Sequence, residues 1–227
     1  MSNYITLMSS LPPLGKLFEA STQPISRLKL ENRLKLLNEQ DSKTLHRFSR
    51  LIAWSEQPLD RTDADFIGEV ERFMREERNP TLRQLVGERI DLRTITTALR
   101  RRHRGESDAP AIKPWGFGQW VGLMERHWKE PTFHLDGILP WVAEANRLLE
   151  ANDLVGFERH QFSVAWSLLD RIGAGHFFDF EAVVIYLNRW SLVARWTVYD
   201  GGAAVERFRH LVDSGLEQFT DVFSPQS

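Results

Sequence analysis

Residues 79–105 read NPTLRQLVGERIDLRTITTALRRRHRG and predict one long helix. Asn79 and Pro80 are residue types that begin helices, because Asn accepts hydrogen bonds from the first free amides and Pro tolerates the first turn. The helix is expected to run to about His103, and Gly105 stands just past that end, where glycine is common. Between these limits, apolar side chains recur at the three- and four-residue intervals of one helix face. They are Leu85, Leu92, Ile95 and Leu99.

The same spacing recurs before and after this segment, so an all-α fold, a multi-helix bundle, is predicted. Residues 180–199, with Asp179 as the expected N-cap, are apolar on almost every side, which is typical of a helix buried on most sides. Only Tyr4 to Met8 could form a strand, and that stretch is too short to decide. Other predicted helices cover residues 26–38, 138–149, 154–172 and 203–219. Two more are expected to start, one near Asp41 and one near Thr62 and Asp63.

Composition places the chain among water-soluble globular proteins. Of its 227 residues, 42% are apolar and 26% are charged, which excludes collagen-like, low-complexity and wholly disordered classes. Cysteine is absent, so disulfides, thiolate metal sites and cysteine nucleophiles are excluded. The net charge of −2 gives no global electrostatic reason for binding nucleic acid.

The sequence predicts neither a transmembrane segment nor an export signal. It has no run of about 18 uncharged apolar residues, which is the length that a spanning helix needs. Residues 1–14 lack the basic start of a secretory signal. We therefore expect a cytoplasmic protein that does not insert into a membrane.

Residues 105–113 are the best candidate for a linker, because they are polar, contain Pro110 and show no helical period. Seven of the eight tryptophans follow them. The apolar pattern of residues 91–99 returns in residues 188–196, which indicates either two related subdomains or the ordinary period of any helix. The predicted units, which either stay separate or pack as one domain, are an N-terminal helical subdomain over 1–104 and a Trp-rich one over 114–227.

No pattern in the chain indicates a catalytic site. The motifs of zinc proteases, P-loop proteins, serine hydrolases and di-iron bundles are absent. Two glycine pairs, in residues 116–118 and 173–175, do not follow a strand, so neither predicts a phosphate-binding loop. His176 and Asp179 have the spacing of metal ligands on one helix face, but Asp179 suits a helix cap and two ligands do not make a site. We therefore predict no enzyme activity, no cofactor and no metal.

An arginine run at the end of the 79–105 helix is the strongest local anomaly. The helix dipole favours one or two cations at that end, not four arginines. The run is either a solvated helix end or a contact for an acidic partner surface, a phosphate or a lipid headgroup. Tryptophans just after the linker are candidate interface anchors, because each buries a large area. The predicted partner-contact residues are Arg100, Arg101, Arg102, Arg104, Trp115 and Trp120.

Three stretches carry a resemblance to a known family. Residues 4–14, YITLMSSLPPL, are similar to the opening of short bacterial proteins of unassigned function that are encoded beside V-type ATPase subunits. Residues 90–100, IDLRTITTALR, resemble a helix that recurs in the C-type subunit (also called the d-type subunit) of V- and A-type ATPases. Residues 180–183, FEAV, followed by Trp190 and by residues 195–196, resemble the closing helix of the short family.

The resemblance implies a mechanical role without bond chemistry. In the family, the C-type subunit is an all-helical socket between the central rotor shaft and the membrane proteolipid ring, and it passes torque between them. The expected partners are therefore those central-stalk and ring subunits, and the expected place is the inner face of the membrane, reached through the complex. This chain departs from the family at Thr94, where Asn is usual, and at Thr96, where Lys is usual. It also has room for about two helical subdomains, where the C-type subunit has three.

Two other function classes stay open from the sequence. One is a small helical adaptor or regulatory protein that contacts nucleic acid through the arginine run. The other is an enzyme with an unfamiliar helical site. The expected function is that of a non-catalytic component similar to the C-type subunit, or of an accessory factor of the same ATPase, with no small-molecule substrate.

Overall fold

A computed structural model of the chain describes residues 2–20, 22–52 and 62–198. These residues fold into helices joined by loops and include no strand, which confirms the predicted all-α class. No helix within these ranges has the length and apolar character needed to cross a bilayer. The helices are α1 (Ser2–Ser9), α2 (Arg27–Leu34), α3 (Glu39–Ile52), α4 (Asp63–Glu76), α5 (Pro80–His103), α6 (Val121–Arg126), α7 (Trp141–Glu150), α8 (Leu154–Ile172) and α9 (180–198).

Helix starts follow the predicted caps at three of four places. The Thr62 side chain accepts a hydrogen bond from the Asp65 amide and begins α4. The Asn79 side chain accepts hydrogen bonds from the first amides of α5, and Asp179 Oδ1 accepts one from the Ala182 amide, 2.8 Å away, at the start of α9. The predicted helix over 203–219 lies outside the described residues.

Two predictions concern the N-terminal part of the chain, namely a helix cap at Asp41 and a short strand over residues 4–8. Asp41 is not the cap of α3, because the helix begins earlier and Asn38 Oδ1 accepts the Asp41 amide at 2.8 Å. The Asp41 carboxylate instead accepts a hydrogen bond from the Tyr4 hydroxyl. Tyr4 itself lies in α1, so the stretch that was too short to decide from sequence is helical.

Helix α5 is the central element, and it packs against α3, α4, α7 and α8. Its buried side chains occur on several faces of the helix, because different neighbours cover its two ends. The first part of α5 contributes to a large apolar core with α3, α4, α8 and α9. Its last part contributes to a second core with α6, α7 and the start of α8. The prediction that α9 is a mostly buried helix is confirmed by side chains such as Val183, Val184 and Val193, none of which is exposed.

The loop over residues 105–113 is tied to its surroundings. The Trp128 indole donates to the Glu106 carbonyl at 2.8 Å, and Arg101 forms an ion pair with the Glu106 side chain at 2.8 Å. Pro110 is buried. Both apolar cores contain residues from before and after this loop, and a division into subdomains at the loop stays a prediction.

Candidate anion-binding pocket

A cavity of about 100 Å³ lies where α5, α8 and α9 meet. Helix α5 contributes three arginines spaced by four and seven residues, so they lie along one face. Helix α8 contributes a glutamate and a glutamine, and α9 contributes one more arginine. These residues are Arg89, Arg93, Arg100, Glu158, Gln161 and Arg195, and Thr96 of α5 also lines the cavity.

The floor of this pocket is apolar. It is formed by side chains from the same three helices, namely Leu92, Phe162, Ala165 and Leu192. All four are buried members of the larger core. An apolar floor keeps water away from one side of the arginines, and charge interactions are stronger where water is excluded.

The pocket concentrates positive charge. Its lining contains four arginines and one glutamate. Burial, together with the smaller effect of the positive charge of Arg195, lowers the pKa of Arg89 to about 10. Burial also lowers the pKa of Arg100, while Glu158 opposes this effect. Both shifts have the sign expected where like charges are held together with too little solvent and too few counter-charges.

Aromatic rings hold several of these guanidinium groups in place. The Cζ atom of Arg100 lies 5.0 Å from the centre of the Phe157 ring. The Cζ atom of Arg195 lies 5.1 Å from the centre of the Phe162 ring. Cation–π contacts of this kind attract a guanidinium to the ring face and do not use its N–H groups as in-plane donors. The arginines are therefore positioned by contacts that leave hydrogen-bonding capacity toward the cavity.

Two buried donors at the pocket have no acceptor among the residues that the structure describes. They are Arg89 Nε and Gln161 Nε2. A buried donor that forms no hydrogen bond is unfavourable by about 1–3 kcal/mol. The lining thus offers N–H groups and positive charge together, which is the chemistry that binds an anion.

The predicted arginine run does not form one surface patch. Arg100 lines the pocket, and Arg101 is paired with Glu106. Arg102 is mostly buried, donates to the Asn146 side chain and lies 3.8 Å from Glu150. Arg104 is exposed at the end of the helix. Internal ion pairs therefore account for two of the four arginines, and a partner role stays a prediction for the run.

The two predicted tryptophan anchors are packed into the second core. Trp115 is 6% exposed, and its indole Nε1 donates to Glu125 Oε1 at 2.9 Å. Trp120 is half-buried against the same core. Burial of this kind needs no partner protein to explain it, and contact with a partner stays a prediction for both.

The sequence analysis did not predict Arg89, Arg93, Arg195 or the two residues of α8 as site residues. A signal existed: Arg89, Arg93 and Arg100 share one face of their helix. Arg195 stands on the narrow polar stripe of α9, which is apolar elsewhere. The sequence does not show that α5, α8 and α9 pack side by side, which places the arginines of α5 and Arg195 of α9 around one cavity.

The glycine pair of residues 116–118 packs on the central helix. Thr94 Oγ1 donates to the Phe117 carbonyl at 2.9 Å. A Cβ atom added at Gly118 would lie 1.8 Å from Asp91 Oδ1, and Gly118 has φ +116°. Because the loop lies directly on Asp91 and Thr94, these two polar residues of the IDLRT stretch hold the chain that leads into α6.

Asp91→Asn is expected to stabilise the protein above pH 6 and to remove a pH dependence. Burial raises the pKa of Asp91 from 3.8 to about 6, Gln119 hydrogen bonding opposes that rise, and the charge of Glu88 adds to it. The folded chain therefore holds this proton more tightly than the unfolded chain, and stability falls as the pH rises from about 4 to about 6. Urea unfolding across pH 3.5–8 measures this fall.

The exposed carboxylate of Glu71 provides the control for that experiment. Glu71→Gln removes the same charge without removing a buried carboxyl, so its pH profile should keep the fall between pH 4 and 6. An Asp91→Asn profile parallel to that of the wild type would contradict the burial of an ionised Asp91.

Three possible metal ligands lie close together at the start of α9. The nearest ligand atoms of His176, Asp179 and Glu181 all lie within 4.8 Å of one another. Each side chain has a protein partner: His176 Nδ1 is 2.7 Å from Asp179 Oδ2, and Glu181 accepts from Asn79 at 2.7 Å. Together with the Asp179 cap, these contacts tie the start of α5 to the start of α9.

Comparisons of the chain with protein-family models, with characterised proteins and with solved structures found no match. The kind of ligand that suits the pocket is therefore inferred from the residues that line it. Guanidinium groups bind anions but do not lose protons at neutral pH, so they are poor general bases and nucleophiles. The arrangement is suited to holding a negatively charged group.

Proposed function

We propose that this protein is a non-catalytic component or accessory factor of a V/A-type ATPase, similar to the C-type subunit. In this role it couples the central rotor shaft to the membrane proteolipid ring. The observation that carries the proposal is the position of the IDLRTITTALR stretch, which lies in the central helix α5. The part of the sequence that resembles the C-type subunit is thus also the part around which the rest of the fold is packed.

The packing of α5 supports a load-bearing role. Ile90, Ile95 and Leu99 of that stretch are at most 1% exposed, and the helix packs against α3, α4, α7 and α8. A densely packed interior deforms little under stress. A body of this kind can pass torque between two partners without changing shape, and it needs no catalytic group to do so.

Under this proposal the protein acts at the inner face of the membrane through its partners, not by insertion. The expected partners are the central-stalk and proteolipid-ring subunits. Arg104 is the member of the arginine run best placed to meet an acidic partner, because it is exposed and lies at the end of α5.

A tagged pull-down from the native membrane fraction tests the proposal. We expect ATPase head, shaft and proteolipid subunits to co-purify and to be identified by mass spectrometry. Arg104→Glu should reduce their recovery severalfold without changing the melting temperature, because an exposed charge reversal repels an acidic partner. Arg83→Glu, at an exposed position near the other end of α5, is the matched control and should leave recovery unchanged.

A clean preparation without ATPase subunits would overturn the proposed function. Reversal of Arg101 or Arg102 would be a poor test, because each already pairs within the chain. Their substitution would disturb the fold and the partner contact together.

A further inference from the structure

We propose that the pocket between α5, α8 and α9 binds the phosphate group of a small anion through Arg89, Arg100 and Arg195. This inference goes beyond the proposed mechanical role, which calls for no small ligand. It also departs from the sequence-based expectation that no small molecule binds.

The pocket carries a net positive charge. Four arginines and one glutamate surround a cavity of about 100 Å³. Arg89 places a buried guanidinium nitrogen among these like charges, which is unfavourable for folding, and replacement of such a group by an apolar residue of similar size often stabilises a protein. Groups that are unfavourable for folding are typical of functional sites. A bound anion would attract each of these arginines and so offset the repulsion between them.

The pocket also offers buried hydrogen-bond donors. Arg89 Nε and Gln161 Nε2 are buried donors without an acceptor among the described residues. A phosphate presents several acceptor oxygens at once, and planar guanidinium groups match its geometry with paired hydrogen bonds. The two donors belong to different helices, α5 and α8, and both residues line the same cavity.

The volume of the cavity and the charge of its lining limit the kind of anion that it can hold. A cavity of about 100 Å³ is well below the roughly 300–1,000 Å³ of typical pockets for drug-sized ligands. It has room for a phosphate group but not for an enclosed nucleotide. The excess of arginines over carboxylates favours an anion with two or three charges over a monocarboxylate. Free phosphate, pyrophosphate and the terminal phosphate of a larger compound share this chemistry.

Binding of three phosphate probes by the full chain tests the proposal. Inorganic phosphate, pyrophosphate and ADP are titrated at constant ionic strength in a calorimeter, and each is also tested for its effect on the melting temperature. We expect saturable binding and a raised melting temperature with at least one probe. Binding of phosphate or pyrophosphate would indicate a free anion as the source, whereas binding of ADP only would indicate a terminal phosphate that enters from outside.

Substitution of Arg89 gives two opposite readouts. Arg89→Met should weaken phosphate binding at least tenfold, because it removes a charge and a buried donor from the lining. The same variant should raise the melting temperature of the ligand-free protein, because repulsion from Arg195 is removed. A residue with a purely structural role would lower that temperature. Arg195→Met is the second variant, and it should weaken binding in the same way.

Arg83→Met is the matched control, since Arg83 is an exposed arginine of the same helix outside the pocket. It should bind the probes as the wild type does. Three results would overturn the proposal: no saturable binding of any phosphate probe, equal binding by the wild type and both pocket variants, or equal binding of acetate. None of these depends on the ATPase pull-down, so failure here and failure of the proposed function are distinguishable.

Discussion

Gly118→Ala is expected to lower the free energy of unfolding by about 2–4 kcal/mol. Gly118 has φ +116°, a conformation that residues with a side chain rarely adopt. The added Cβ would also lie 1.8 Å from Asp91 Oδ1 and 3.0 Å from its Cγ. The Asp91 carboxylate is packed between α5 and this loop, so backbone strain and a steric clash add together.

Urea denaturation of the two proteins measures the expected loss. Gly68→Ala is the matched control, because Gly68 is exposed within α4 and an added Cβ would meet nothing within 4 Å. It should stabilise the protein by about 0.5–1 kcal/mol, since alanine favours a helix over glycine. Equal effects of the two substitutions would contradict the close approach at Gly118.

A double-mutant cycle with Asp91→Ala separates the two causes. Removal of the carboxylate relieves the clash but leaves the unfavourable backbone conformation. Gly118→Ala should therefore cost less in the Asp91→Ala background than in the wild type. The remaining cost would measure the backbone strain at that position.

This contact changes how the IDLRT stretch is understood. Asp91 and Thr94 contact the Gly116–Gly118 loop within the chain, so their presence needs no partner protein. The resemblance to the C-type subunit thus concerns a helix whose apolar and polar residues both serve the fold. The proposed partner contact at Arg104 lies apart from this loop, at the exposed end of α5.

The helices could be predicted from the sequence because their signals are local. Apolar spacing and the caps at Thr62, Asn79 and Asp179 depend on residues within one or two turns of each other. The cap at Asp41 was predicted wrongly for a related reason. Asn38 is as good a cap, and the Tyr4 hydroxyl from α1 engages the Asp41 carboxylate instead. Competition of that kind is decided by packing and not by propensity.

The pocket could not be predicted, because its parts are far apart in the chain. Arg89 and Arg195 each have an ordinary place on a helix, and only the packing of α5 against α8 and α9 puts them around one cavity. The same reason explains Arg102. Sequence shows it within a basic run, whereas the fold directs it to Asn146 on α7.

Trp115→Ala is expected to lower the free energy of unfolding by about 3–5 kcal/mol, the usual range for truncation of a buried aromatic side chain. Trp115 is 6% exposed and lies edge-on to Trp128, with ring centres 5.7 Å apart. Its indole also donates to Glu125 at 2.9 Å. The substitution would leave a cavity in the second core and would remove the indole donor from Glu125, which Lys113 also contacts.

Trp115→Phe distinguishes packing from hydrogen bonding, because it keeps an aromatic ring and removes the indole donor. It should cost about 1–2 kcal/mol, a fraction of the alanine effect. If Trp115 were instead an exposed anchor for a partner, Trp115→Ala would leave the urea midpoint of the isolated protein unchanged and reduce only recovery in the pull-down. The two measurements together therefore decide whether Trp115 serves the core or the complex. The burial of Trp115 predicts that it serves the core.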